Sequence, residues 1–167
     1  QLAKQSQVGK KIILPGGLVV IRQYQDLLFT GSYQEEKSLP LSPRVLKIPG
    51  ETLIPEKGMV IKATISQQLP LRAENRVWFP LNPERLPELH VRSRLPGDWL
   101  KPIGMSGRKK LKDFFIDRKI PKAERDHILL VACGPEVLWI PGLVVSNRMK
   151  ETKTAAQYLI LELIRQK

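Results

Sequence analysis

What this chain lacks narrows its chemistry before any motif is read. It has a single cysteine, Cys133, so no internal disulfide can form, and the apolar run ILLVAC around it reads as a core strand carrying a reduced thiol. Its two histidines, His90 and His127, stand far apart with no cysteine or carboxylate at ligand spacing, so no metal site is expected. No run of about 18 apolar residues occurs, which excludes a membrane-spanning helix, and no membrane partner is expected. With the reduced thiol, these absences predict a cytoplasmic protein. Acidic residues are also scarce, 16 against 28 Lys and Arg, leaving a formal charge of +12. That balance favours a polyanionic partner, nucleic acid ahead of an acidic membrane surface.

What is present is ordinary for a globular protein: 167 residues, 42% hydrophobic and 26% charged, enough for one domain or two small lobes with a shared interface. The opening QLAKQSQ has neither methionine nor a signal pattern and reads as part of a longer chain. Residues 1–7 read as a helix tail, IILP at 12–15 as a strand ending at Gly16 and Gly17, and LVVIRQYQDLLF as two β-rich runs around Gln25 and Asp26. Prolines at 40, 43, 49 and 55 divide the next region into short extended pieces. VIKATIS and RVWF continue the strands, and NPERLPEL reads as a turn. Residues 1–89 are therefore expected to form a β-dominated lobe.

From His90 the texture changes, and residues 90–167 read as a basic terminal domain, the whole being α+β. HVRSR is a short strand, followed by a turn at Pro96, Gly97 and Asp98. A helix is expected from about Gly107 to Arg118 with Ser106 as its N-cap, because Leu111, Phe114 and Phe115 share one face. Pro121 suits the first position of a second helix over KAERD. HILLVAC, VLWIPG and LVVSNRMK are strands, and YLILELI is read as a closing strand.

The charge is local. Residues 1–90 hold 12 cations and 8 anions, residues 91–125 hold 11 and 4, and residues 126–167 hold 5 and 4, for net charges of +4, +7 and +1. More than half the excess thus lies in about a fifth of the chain. Arg108, Lys109 and Lys110 fall where the expected helix begins, a place where each cation is disfavoured by roughly 0.3 to 1 kcal/mol unless an anion opposes it. A phosphate approaching Gly104 and Gly107 would supply that anion.

The stretch VRSRLPGDWLKPIGMSGRKKLKDFFIDRKIPKAERD, Val91 to Asp126, resembles the C-terminal domain of bacterial tRNA(Ile)-lysidine synthetase. That family's pattern runs VRxRxPGD, PxG, GxKKLK and IPxxxRD. The matches are Val91, Arg92, Arg94, Pro96, Gly97, Asp98, Pro102, Gly104, Gly107, Lys109, Lys110, Leu111, Lys112, Ile120, Pro121, Arg125 and Asp126. LWIPGL and the hairpin-like IILPGGLVVIRQYQDLLF extend the likeness, while residues 31–75 add little; Pro80 stands where relatives commonly carry aspartate.

The resemblance implies a β-rich lobe followed by a β/β/α domain similar to one in the phenylalanyl-tRNA synthetase β subunit. It also implies a parent ligase that uses ATP to adenylate the wobble cytidine of a tRNA(Ile) with a CAU anticodon and then joins lysine to it. ATP and lysine are thus substrates of the parent, and no cofactor is expected in this fragment. The family's SGGxDS loop is absent, since Gly16-Gly17 lack the serine and aspartate, so this chain is expected to be inert as a ligase. The implied role is tRNA binding at the acceptor stem; the resemblance also allows a homodimeric parent. Arg92, Arg94, Arg108, Lys109, Lys110, Lys112, Lys119 and Arg125 are the candidate tRNA-binding residues, with no catalytic residue expected. The alternative is a generic basic RNA-binding or interaction module.

Other candidates carry less. Asp113 and Asp117, at i and i+4 among cations, read as balancing the helix surface, and Asp98 as satisfying turn N–H groups. Trp78 and Trp139 read as core; Trp99 reads either as a lid on the core or as a stacking partner for a nucleotide.

Overall fold

The computed structural model describes residues 11–13, 19–22, 27–30, 40–82, 84, 86–148 and 155–166. The strands are β1 (Lys11–Ile13), β2 (Val19–Arg22), β3 (Leu27–Thr30), β4 (Arg44–Val45), β5 (Gly50–Ile54), β6 (Met59–Ser66), β7 (Arg76–Leu81), β8 (His90–Arg92), β9 (Trp99–Leu100) and β10 (Lys109–Lys110). Helices α1 (Leu111–Asp117) and α2 (Lys122–Arg125) follow, then β11 (Leu130–Cys133), β12 (Glu136–Ile140), β13 (Val144–Val145) and β14 (Gln157–Arg165). The expected helix tail at residues 1–7 lies outside the described residues.

Three sheets result. The first is the antiparallel meander β1-β2-β3. The second, ordered β5-β6-β14-β7, is antiparallel throughout. The third has seven strands ordered β10-β9-β12-β11-β8-β4, with β13 on β12; its β9–β12 pair is parallel. β6 shows why the sequence makes a strand here: its branched residues supply β-propensity, and Val60, Ile61 and Ala63 are buried while Lys62 is exposed. Pro80 lies inside β7, an edge strand, where a missing N–H can be tolerated.

The closing strand expected at YLILELI is present as β14, but it crosses the expected division at residue 90. It pairs with β6 on one side, Leu161 opposite Ala63, and with β7 on the other, Leu159 opposite Phe79. β4 crosses in the reverse direction and pairs with β8. One apolar core consequently joins the two sheets: Ile61, Val77, Phe79, Leu159 and Leu161 pack in a cluster with Val91, Val131, Leu138 and Trp139. From residue 40 onward, strands from both sides of residue 90 thus share one core. Trp139 is 1% exposed and Trp78 9%, both core as expected, whereas Cys133 is half-buried against the cluster.

A second cluster forms under α1. Leu111, Phe114 and Phe115, the expected helix face, bury against Leu100, Leu130, Val137 and Ile140. The helix begins later than expected, however. Ser106 is not its N-cap, and Lys109–Lys110 are extended, paired with Leu100 and Trp99. A pairing partner ten residues back outcompetes the extra helical turn. The Leu111 N–H then donates to the Asp98 carbonyl at 2.9 Å. Pro121 is likewise the N-cap of α2 and not its first residue, so that helix starts one place later than expected.

Candidate nucleic-acid interface

The PGD turn and the β10–α1 junction meet to form the basic site. Gly97 has φ of 88°, a left-handed conformation that glycine adopts without strain, and the Asp98 N–H closes the turn on the Leu95 carbonyl. Across from it, Lys110 and Lys112 flank buried Leu111, whose anchoring in the core throws both amines outward. A cleft of about 490 Å³ is lined by Arg94, Gly97, Lys110, Lys112 and Asp126, among others. Three of the eight candidate residues therefore share one concavity.

Arg92 is the correction within that set. Its side chain is 5% exposed, and its guanidinium donates to both carboxylate oxygens of Asp98, at 2.7 and 2.9 Å. It also donates to the carbonyls of Ser93, at 3.0 Å, and Gly134, at 2.8 Å. Arg92 therefore fastens β8 to the PGD turn and the β11–β12 turn and does not face a ligand. Asp98 additionally accepts the Leu95 N–H at 2.8 Å, the turn role expected of it.

The remaining candidates fall into two groups. Arg94 donates from Nε to Asp126 at 2.7 Å, and this hydrogen bond is the main reason the Asp126 carboxyl is held below the usual carboxylate range. Lys109 pairs with Asp117 on α1. Arg125 donates to the Ile120 carbonyl at 2.9 Å. By contrast Arg108, Lys110, Lys112 and Lys119 are exposed and form no ion pair among the described residues. Because Arg108 to Lys110 precede the helix, and α1 has seven residues, the expected phosphate site at a helix N-terminus is not formed.

Sequence reasoning overlooked three residues. Lys101 stands 5.8 Å from the Trp99 ring, Arg118 lies 5.4 Å over Phe114, and Asp126 tempers the cleft. Asp126 was visible in the IPxxxRD pattern, but its contact with Arg94 spans 32 positions. Among the described residues no three His, Cys, Asp or Glu side chains converge as metal ligands, and no helix is long and apolar enough to cross a membrane.

The architecture is α+β, mixed sheets with few helices, carrying a cationic cleft built from a turn and a strand–helix junction. Residues 89–161 match the family described as the TilS substrate C-terminal domain. A solved structure, "Crystal structure of TILS C-terminal domain", superposes with a TM-score of 0.59 at 32% identity, covering 75% of this chain and 99% of that one. The tRNA(Ile)-lysidine synthase of Caldanaerobacter subterraneus subsp. tengcongensis is 38% identical over 91% of this chain and 32% of its own length. That of Geobacillus kaustophilus is 33% identical over 96% and 34%. The chain belongs to the tRNA(Ile)-lysidine synthase family, as its C-terminal region. It spans about a third of the length of these curated relatives.

Proposed function

We propose that this region binds tRNA for a modification ligase and has no catalytic role of its own. The observation that carries the reading is the cleft between the PGD turn and α1, where Lys110 and Lys112 stand exposed with no carboxylate paired to them among the described residues. Unpaired amines rimming a concavity suit phosphate. The parent would adenylate the wobble cytidine of tRNA(Ile) bearing CAU with ATP and attach lysine, while this region grips the acceptor stem. An A-form stem hides its major groove from side chains, so phosphate and ribose contacts dominate, and selectivity comes from shape.

The test is a gel shift with tRNA(Ile) bearing CAU, an acceptor-stem minihelix and an unrelated duplex. The first two should bind ahead of the third; equal binding to all three would instead favour a generic basic RNA-binding module. With Arg92 turned inward, about five phosphates are neutralised, giving a log–log salt slope of about −3.5 to −4.5. Lys110→Ala and Lys112→Ala should each lower its magnitude by about 1.

A further inference from the structure

Trp99 has a setting that the phosphate-binding reading leaves unused. The Arg108 guanidinium lies 4.3 Å from its ring centroid and the Lys101 amine 5.8 Å. Lys110 is its direct partner in the β9–β10 register, and opposed residues of an antiparallel pair project to the same face of the sheet. Arg108, just before that strand, is brought to the same side by its contact with the ring. Three cations thus gather round one half-buried indole, and none forms an ion pair among the described residues. The other two tryptophans are core residues, so a lid function alone does not explain why this one is open and capped by an arginine.

A guanidinium resting on an indole is held flat on one side and presents its second planar face to solvent; Arg108 itself is exposed. Planar arginine and aromatic faces among cations are what unpaired nucleobases stack on, whereas a base-paired stem offers no free base. We propose that the Trp99–Arg108 stack receives one unpaired nucleobase of an RNA, on the open face of Arg108, with Lys101 and Lys110 holding the flanking phosphates. This rests on the RNA-binding reading and adds to it a single-stranded contact beside the cleft.

The experiment measures binding of this chain, by fluorescence anisotropy, to three labelled RNAs: a stem with a single-stranded 3′ tail, the same stem blunt-ended, and the tail alone. The tailed stem should bind at least about 5-fold more tightly than the blunt one, the factor that a ~1 kcal/mol stack converts to at 1.4 kcal/mol per decade. Arg108→Lys keeps the charge and loses the plane, so it should bind tailed and blunt stems alike with the salt slope unchanged. Trp99→Phe should keep the tail preference and Trp99→Leu should lose it. Equal binding of tailed and blunt stems by the native chain, or a full tail preference in Arg108→Lys, would overturn the proposal. A blunt stem still bound with a steep salt slope would leave the phosphate reading intact, while failure of all three RNAs to bind would remove both.

Discussion

Two arginines two positions apart in VRSR have opposite fates, and the difference lies in the carboxylate each meets. Arg92 is enclosed with Asp98, whose side chain is 2% exposed, and every polar atom of that carboxylate has a donor. Removing one member leaves a buried charge without its counterion, so Asp98→Ala should cost about 3 to 5 kcal/mol in a urea melt. Arg94 meets Asp126, which is 54% exposed, and the pair contributes at most about 1 kcal/mol. Asp126 matters instead as a local counter-charge in the cleft. Asp126→Asn should release Arg94 and tighten RNA binding by about 2- to 5-fold, read by the same salt titration. Arg94 depresses the Asp126 pKa, so the stability of the pair is present above the ordinary aspartate value of about 3.9. It is lost as pH falls through the lowered native value, so native and Asp126→Asn chains should converge in stability only in strong acid.

At the scale of the element, α1 ends by an unusual route. The Lys119 N–H donates to the Ile116 carbonyl at 2.8 Å and the Ile120 N–H to the Phe115 carbonyl at 2.9 Å, the paired bonds of a Schellman ending. Lys119 occupies the left-handed position, φ 54°, that glycine ordinarily fills. Lys119→Gly should raise stability by about 1 kcal/mol and weaken RNA binding if the exposed amine contacts phosphate; a thermal melt beside the binding assay separates the two effects. The packed face of this helix was legible because Leu111, Phe114 and Phe115 recur at helical spacing. Its start was not, because Gly107 to Lys110 is locally compatible with either state and is decided by Trp99 and Leu100 across the ladder. The cationic character of the site was therefore readable from composition, while the distinction between Arg92 and Lys110 was not: Arg92 meets Asp98 six positions on and the Gly134 carbonyl 42 positions on, and only the assembled fold encloses that group.

Over the whole molecule, β14 sets the unit of folding. Its own strand character was clear from YLILELI, yet nothing in that run says that its neighbours are β6 and β7; that follows from both faces of the assembled core. A fragment of residues 90–167 would leave the backbone groups of β14 unpaired and expose Leu159 and Leu161, which are 1% and 0% exposed in place. Such a fragment should show no cooperative thermal transition by near-ultraviolet circular dichroism, whereas the 167-residue chain should. A cooperative transition in the fragment would restore the division at residue 90.

The same strand has a kinetic consequence. While the chain is being made, β6 must wait for a partner encoded about a hundred residues beyond it, Leu161 for Ala63, and β7 for one about eighty beyond, Leu159 for Phe79. During that interval two ladder edges stand open to any extended neighbour. Newly synthesised copies are then most vulnerable to edge-to-edge aggregation, and a chaperone that shields those edges should raise the yield of native protein.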